Sequence, residues 1–164
     1  MIRIQKKENL YDSIRGLIAN AKAQIVHNIN TTIIFTYYEI GRVIVQDEQN
    51  GKYRADYAKK VLIKLSGQLS KEFGKGYSPT NLEYIRKFYK VYKDRIPQSV
   101  VGKSENPEAG AKTVIPQSVI AEFKSPFVLS WSHYIHLLKI EDDDERAFYE
   151  IEASQGNWSP ITAA

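Results

Sequence analysis

The segment Lys71-Glu72-Phe73-Gly74-Lys75-Gly76-Tyr77-Ser78-Pro79-Thr80-Asn81-Leu82 decides how this chain folds, because it stops one helix and starts another. Gly74 and Gly76 admit backbone angles that other residues resist, so the chain breaks there. Ser78 is a preferred N-cap, and Pro79 suits the first helical position, where its missing N–H had no partner anyway. Upstream, Val61, Leu62, Leu65, Leu69 and Phe73 recur at helical spacing and predict a helix over about 56–73. Lys59, Lys60, Lys64, Gln68 and Lys71 occupy its other face. Downstream, Leu82, Ile85, Phe88, Tyr89 and Tyr92 predict a helix over about 79–94, with Glu83, Arg86, Lys87, Lys90 and Lys93 opposite. Helix, glycine turn and basic helix make a helix-turn-helix pattern.

Working outward, Leu10, Ile14, Leu17, Ile18, Ala21, Ile25 and Ile29 follow one another at spacings that give an amphipathic helix. A second helix is expected from Thr31 to Gln49, with Phe35, Tyr38, Val43 and Val45 as buried candidates. Asn30-Thr31-Thr32 reads as the junction, and one long bent helix is the alternative. Asn50-Gly51 is a stop signal.

Between Ile96 and Pro126 the periodicity fades, punctuated by Pro97, Gly102, Pro107, Gly110 and Pro116. Ile96-Pro97-Gln98-Ser99-Val100 recurs as Ile115-Pro116-Gln117-Ser118-Val119, which is too little for a solenoid. It reads as two extended segments flanking a flexible polar connection, with a short β-hairpin of 98–101 against 114–123 as an option. Helical character returns over about 130–140 and 142–154. Asp142, Asp143 and Asp144 fall in the first turn of the last helix, where the macrodipole stabilises negative charge. The fold class is therefore mainly α.

At 164 residues the chain has single-domain length, and 43% hydrophobic with 26% charged residues excludes wholesale disorder. The absence of Cys removes disulfides, thiolate nucleophiles and cysteine-bearing zinc sites, and it suits a reducing compartment. The first residues lack a signal peptide's apolar core. Apolar runs such as Ile33-Ile34-Phe35 fall far short of the ~20 residues that span a bilayer. The expectation is a soluble, cytoplasmic protein without a membrane partner.

Charge is unevenly distributed. The net +4 conceals residues 52–95, where 12 basic face 4 acidic side chains for a net of +8, and residues 141–164, where 1 basic faces 7 acidic ones. Such a block can act as a solvated helix face or as a surface for a polyanion. On the second reading, Arg86 and Lys90 share one face, and Thr80 and Asn81 sit at the helix start, where side chains reach base edges. Arg86 is suited to guanine and Asn81 to adenine. Lys75, Lys87, Lys90 and Lys93 would serve phosphates, with Lys60 and Lys64 in support.

Catalytic candidates are weaker. His133 and His136 lie three apart, but His27 has no matching spacing, so the pair reads as a polar helix edge beside Trp131 and Tyr134. No phosphate-cradling glycine motif or nucleophile elbow is present. Glu122-Phe123-Lys124 is half of a metal-dependent nuclease constellation, yet the nearest upstream Asp, Asp94, ends a predicted helix. The reading is coincidence, with no metal or cofactor expected.

Several segments in succession carry a family resemblance. They are Tyr37-Tyr38-Glu39-Ile40-Gly41-Arg42-Val43-Ile44, Glu48-Gln49-Asn50-Gly51-Lys52, Arg54-Ala55-Asp56-Tyr57, Leu65-Ser66, Leu69, Phe73-Gly74-Lys75-Gly76-Tyr77-Ser78, Asn81-Leu82 and Arg86-Lys87-Phe88-Tyr89. Leu129-Ser130-Trp131-Ser132-His133-Tyr134, Arg146-Ala147-Phe148-Tyr149, Glu152-Ala153 and Trp158-Ser159 complete the series. Over about 10–159 this series resembles the N-terminal domain of the bacterial YhcG-like proteins, and the resemblance implies a helix-turn-helix or winged-helix-like, DNA-binding domain. In full-length members it precedes a nuclease domain of the PD-(D/E)xK type. Here only Pro160-Ile161-Thr162-Ala163-Ala164 follows Ser159, so the expectation is a binding module over 1–159 without that catalytic machinery, then a short tail. The rival is a protein-interaction or dimerisation module that positions a partner nuclease, suggested by the long N-terminal helices and the many tyrosines.

Overall fold

A computed structural model describes the backbone of residues 2–50, 55–96 and 126–156, with side chains from residue 10 in the first stretch and from residue 57 in the second. Helix α1 runs Ile2–Asn50, α2 runs Ala55–Phe73 and α3 runs Pro79–Tyr92. A 3-10 turn, Lys93–Arg95, follows, and then α4, Trp131–Leu137, and α5, Asp143–Gln155. No strand occurs among the described residues. The repeated pentapeptide, the candidate hairpin and Glu122-Phe123-Lys124 lie outside them, as does Trp158-Ser159.

The junction expected at Asn30-Thr31-Thr32 is continuous helix instead. Thr32 Oγ1 donates to the Asn28 carbonyl at 2.8 Å, and Thr36 Oγ1 donates to the Thr32 carbonyl at 2.8 Å. Their hydroxyls bond back along the helix and do not divert the backbone into a turn. The result is one element of 49 residues, about 73 Å long at 1.5 Å per residue.

Helix α3 is the centre of the domain. Its Leu82, Ile85, Phe88 and Tyr92 are all buried. On one side they meet Ile34, Phe35, Tyr38 and Ile44 of α1; on the other they meet Phe127, Leu129, Tyr134, Leu137 and Leu138. Phe88 is the hub, with ring centroids of Tyr92, Phe127, Tyr134 and Trp131 within 4.9–5.4 Å. These tilted and edge-on pairs add aromatic contact energy to their burial. Helix α2 closes the other end through Leu62, Leu65 and Leu69.

Two core assignments need correction. Val43 is 57% exposed and its neighbour Ile44 is buried instead, while Val45 is buried as expected. The phase of α1 is set where Gly41 meets α3, and that rotation carries Val43 into an open groove beside α2. Phe73 is 61% exposed because it ends α2 beyond the core, where it makes an edge contact with Tyr77.

The C-terminal helices are held by ion pairs as well as packing. Arg95 donates to both Glu150 carboxylate oxygens at 2.7 Å, and Tyr134 Oη donates to the same carboxylate at 3.1 Å. The guanidinium also lies 4.4 Å from the centroid of the Tyr92 ring. Asp142 caps α5 by accepting from the Glu145 N–H at 2.8 Å. Among the described residues, no helix is long and apolar enough to cross a membrane.

Candidate nucleic-acid interface

The turn between α2 and α3 forms as its residues dictate. Gly74 and Gly76 adopt φ of 80° and 126°, the left-handed region that glycine enters at least cost. The Gly74 N–H donates to the Ser70 carbonyl at 3.1 Å and ends α2. Ser78 Oγ accepts from the Asn81 N–H at 3.2 Å, and Pro79 takes the first helical position.

Asn81 is deeply engaged in this turn. Its side-chain amide donates to the Gly76 carbonyl, and its Oδ1 accepts from Trp131 Nε1 at 2.8 Å. Trp131 in turn stands edge-on to Tyr37, with centroids 4.8 Å apart. The side chain that sequence reading assigned to a base edge thus ties the turn, α3 and α4 together. Burial pushes the Tyr37 phenol above its ordinary range, reinforced by Tyr77 and opposed by the hydrogen bond with Asn81.

Arg86 and Lys90 converge on one carboxylate. Arg86 Nη1 donates to Glu48 Oε1 at 2.8 Å, and Lys90 Nζ lies 3.5 Å from Glu48 Oε2. Arg86 keeps 30% of its side chain exposed, and Lys90 keeps 51%. Lys64 lines the groove of about 460 Å³ that runs past Glu48 between α1 and α2. Two cations on one carboxylate leave this cluster with an excess positive charge.

The remaining candidates point outward. Lys60, Lys64, Lys75, Thr80, Lys87 and Lys93 are exposed. None of these lysines pairs with a carboxylate among the described residues. At 100° per residue, Lys60, Lys64 and Lys71 share one side of α2, while Thr80, Glu83, Lys87 and Lys90 share the solvent side of α3. Glu83 and Asp94 also face outward there, so the α3 surface is less positive than its lysines alone suggest.

Sequence reading missed two inward uses of the basic block. Arg95 is committed to Glu150, and Arg86 is shared with Glu48. His133 bonds Ser130 through its Nδ1 at 2.7 Å. Among the described residues, no group of three or more His, Asp or Glu side chains comes together to hold a metal ion.

A mainly helical domain, in which a helix, glycine turn and helix pack across a long N-terminal helix, defines the structural class. Residues 13–162 match the DUF1016 N-terminal domain, and the chain belongs to that family. It is 34% identical over 163 residues to an Escherichia coli (strain K12) protein named "Putative nuclease YhcG". That alignment covers 93% of this chain and 42% of the relative, so the chain spans about two-fifths of the relative's length. No solved structure matches.

Proposed function

We propose that this chain is a duplex-DNA-binding module that supplies grip, the chemical step belonging to a nuclease domain of the PD-(D/E)xK type elsewhere in such proteins. The observation that carries the reading is a set of exposed lysines around the α2–α3 turn that have no carboxylate partner among the described residues: Lys60 and Lys64 on α2, Lys75 in the turn, and Lys87 and Lys93 on or just after α3. Ammonium groups held in solvent without carboxylate partners suit phosphates, which fix register without reading sequence. Thr80 offers a hydroxyl at the start of α3. Arg86 and Lys90 contribute through the surplus charge of their cluster with Glu48. Kinship to a protein named as a nuclease supports nucleic acid as the polyanion.

Fluorescence anisotropy with labelled duplex DNA, read across a salt series, tests this. Five phosphate contacts predict a log–log slope of roughly −4 to −5. Replacing Lys60, Lys64 and Lys87 with Ala should weaken binding at least tenfold while leaving the thermal midpoint near that of the parent. Binding that ignores salt, or a triple variant that binds as before, would overturn the reading. Cleavage of the duplex by this chain with Mg²⁺ would overturn the assignment of chemistry elsewhere.

A further inference from the structure

In the first half of α1 a row of apolar side chains faces solvent. From Leu10 to Ile29 every residue except Gly16 is exposed. Leu10, Ile14, Leu17, Ile18, Ile25 and Ile29 are between 47% and 70% exposed, and Ala21 lies among them. At 100° per residue this stripe lies roughly 150° around the axis from the face that packs on α3 through Ile34, Tyr38 and Gly41. It therefore points away from the domain body.

A helix of this kind gains most of its stability in water by burying an amphipathic face, and isoleucine is a poorer helix former than leucine or alanine. We propose that the occupant of this face is the same face of a second copy, laid antiparallel in a two-fold dimer. The spacing of Leu10, Ile14, Ile18, Ala21, Ile25 and Ile29 runs four, four, three, four, four, the same from either end. Two antiparallel copies thus set Leu10 opposite Ile29, Ile14 opposite Ile25, and the larger Ile18 opposite the small Ala21. Each contact occurs twice, as a two-fold interface requires. Tyr11 then lies level with Asn28, a polar pair at the edge of the seam.

Area and charge agree with that occupant. The exposed stripe offers roughly 600 Å² per copy, about 1,200 Å² together, which reaches the lower bound of stable protein interfaces. Between Leu10 and Ile29 the charged side chains are Asp12, Arg15 and Lys22, a net of +1. An interfacial lipid-binding helix carries a polar face rich in Lys and Arg. Here Ala23 and His27 occupy the far side.

Sedimentation or light scattering without DNA tests the proposal across the micromolar range. The expected mass is twice 18.8 kDa, falling to 18.8 kDa for Ile14→Lys/Ile25→Lys. Ala23→Lys/His27→Lys, with the same added charge on the far side, should remain dimeric. Because the chain has no cysteine, thiol cross-linking reads the orientation cleanly. Oxidised Leu10→Cys/Ile29→Cys should form a covalent dimer, and Leu10→Cys alone should not. A parent chain of 18.8 kDa throughout, a dimer indifferent to Ile14→Lys/Ile25→Lys, or one abolished by the far-side variant would overturn the proposal. Cross-linking of Leu10→Cys alone would overturn the antiparallel arrangement. None of these readings depends on DNA binding.

Discussion

Gly41 of α1 rests against the carbonyl oxygen of Ile85 on α3: a Cβ at position 41 would come 2.5 Å from that oxygen and 2.8 Å from the Tyr89 Cβ. The approach brings Tyr38 within ring contact of Phe88 and Tyr89, and it places Glu48 near Arg86 further along. Gly41→Ala should destabilise the domain by about 1–3 kcal/mol, because overlap with a backbone carbonyl outweighs the ~1 kcal/mol by which Ala is the better helix former. Urea unfolding checks this, with a lowered midpoint expected at unchanged slope. A variant as stable as its parent would show that α1 and α3 separate at little cost.

The Arg95–Glu150 pair makes a second stability prediction. Glu150 keeps only 8% of its side chain exposed and accepts from Tyr134 as well. Removing Arg95 strands that carboxylate. Arg95→Ala is expected to cost on the order of 2–3 kcal/mol, less than for a fully buried pair, because the Arg95 side chain retains 35% exposure. Replacing both partners with Ala should cost less than the sum of the single changes. Additive losses in that cycle would mean that the two side chains act independently.

What was legible in the sequence was whatever neighbours decide. Ser78 and Pro79 open α3, Gly74 and Gly76 break the chain before it, and Leu82, Ile85, Phe88 and Tyr92 face inward, each through interactions within a turn or two of helix. The outward faces of Lys60, Lys64 and Lys87 followed from helical phase in the same way. Long-range partners were not legible. Arg86 meets a carboxylate 38 residues away, Asn81 meets an indole 50 residues away, and Arg95 meets a carboxylate 55 residues away. A charge count treats all such groups as free. The inward rotation of Ile44 past Val43 depends likewise on the Gly41 approach, which no local pattern encodes. The continuity of α1 through Asn30-Thr31-Thr32 turned on hydroxyls bonding back along the helix, while the same residues also read as a junction.

Glu48 restrains the DNA-binding surface on the reading proposed above. It holds Arg86 and Lys90 together, so neutralising it leaves both cations unpaired. Glu48→Gln should tighten duplex binding by roughly two- to fivefold and steepen the salt slope by about 1–2. The isosteric amide still accepts a hydrogen bond, so thermal stability should change little. Anisotropy across a salt series measures both quantities. Unaltered affinity and slope would remove Arg86 and Lys90 from the contact surface.

Alkaline pH should act through the buried phenols. Burial, then the charges of Tyr89 and Glu39, push Tyr38 up to about 12 from an ordinary 10.0. Burial, then the negative charge of Glu150, pushes Tyr92 and Tyr134 higher still. A phenol whose pKa is raised on folding contributes stability that is fully present below the unfolded value, about 10, and lost as pH climbs through the folded one. Thermal midpoints should therefore hold up to about pH 9 and fall above 10. Tyr92 offers the cleaner test, because its buried hydroxyl has no hydrogen-bond partner among the described residues. Tyr92→Phe deletes a polar atom that burial leaves unsatisfied, so it should be neutral or slightly stabilising at pH 7. Lysine deprotonation weakens both proteins alike, so the difference between parent and variant isolates the phenol. The advantage of Tyr92→Phe should widen between about pH 10 and 12 in thermal melts followed by circular dichroism. A constant difference across that interval would show that Tyr92 stays protonated in the unfolded chain as well, or ionises without cost in the folded one.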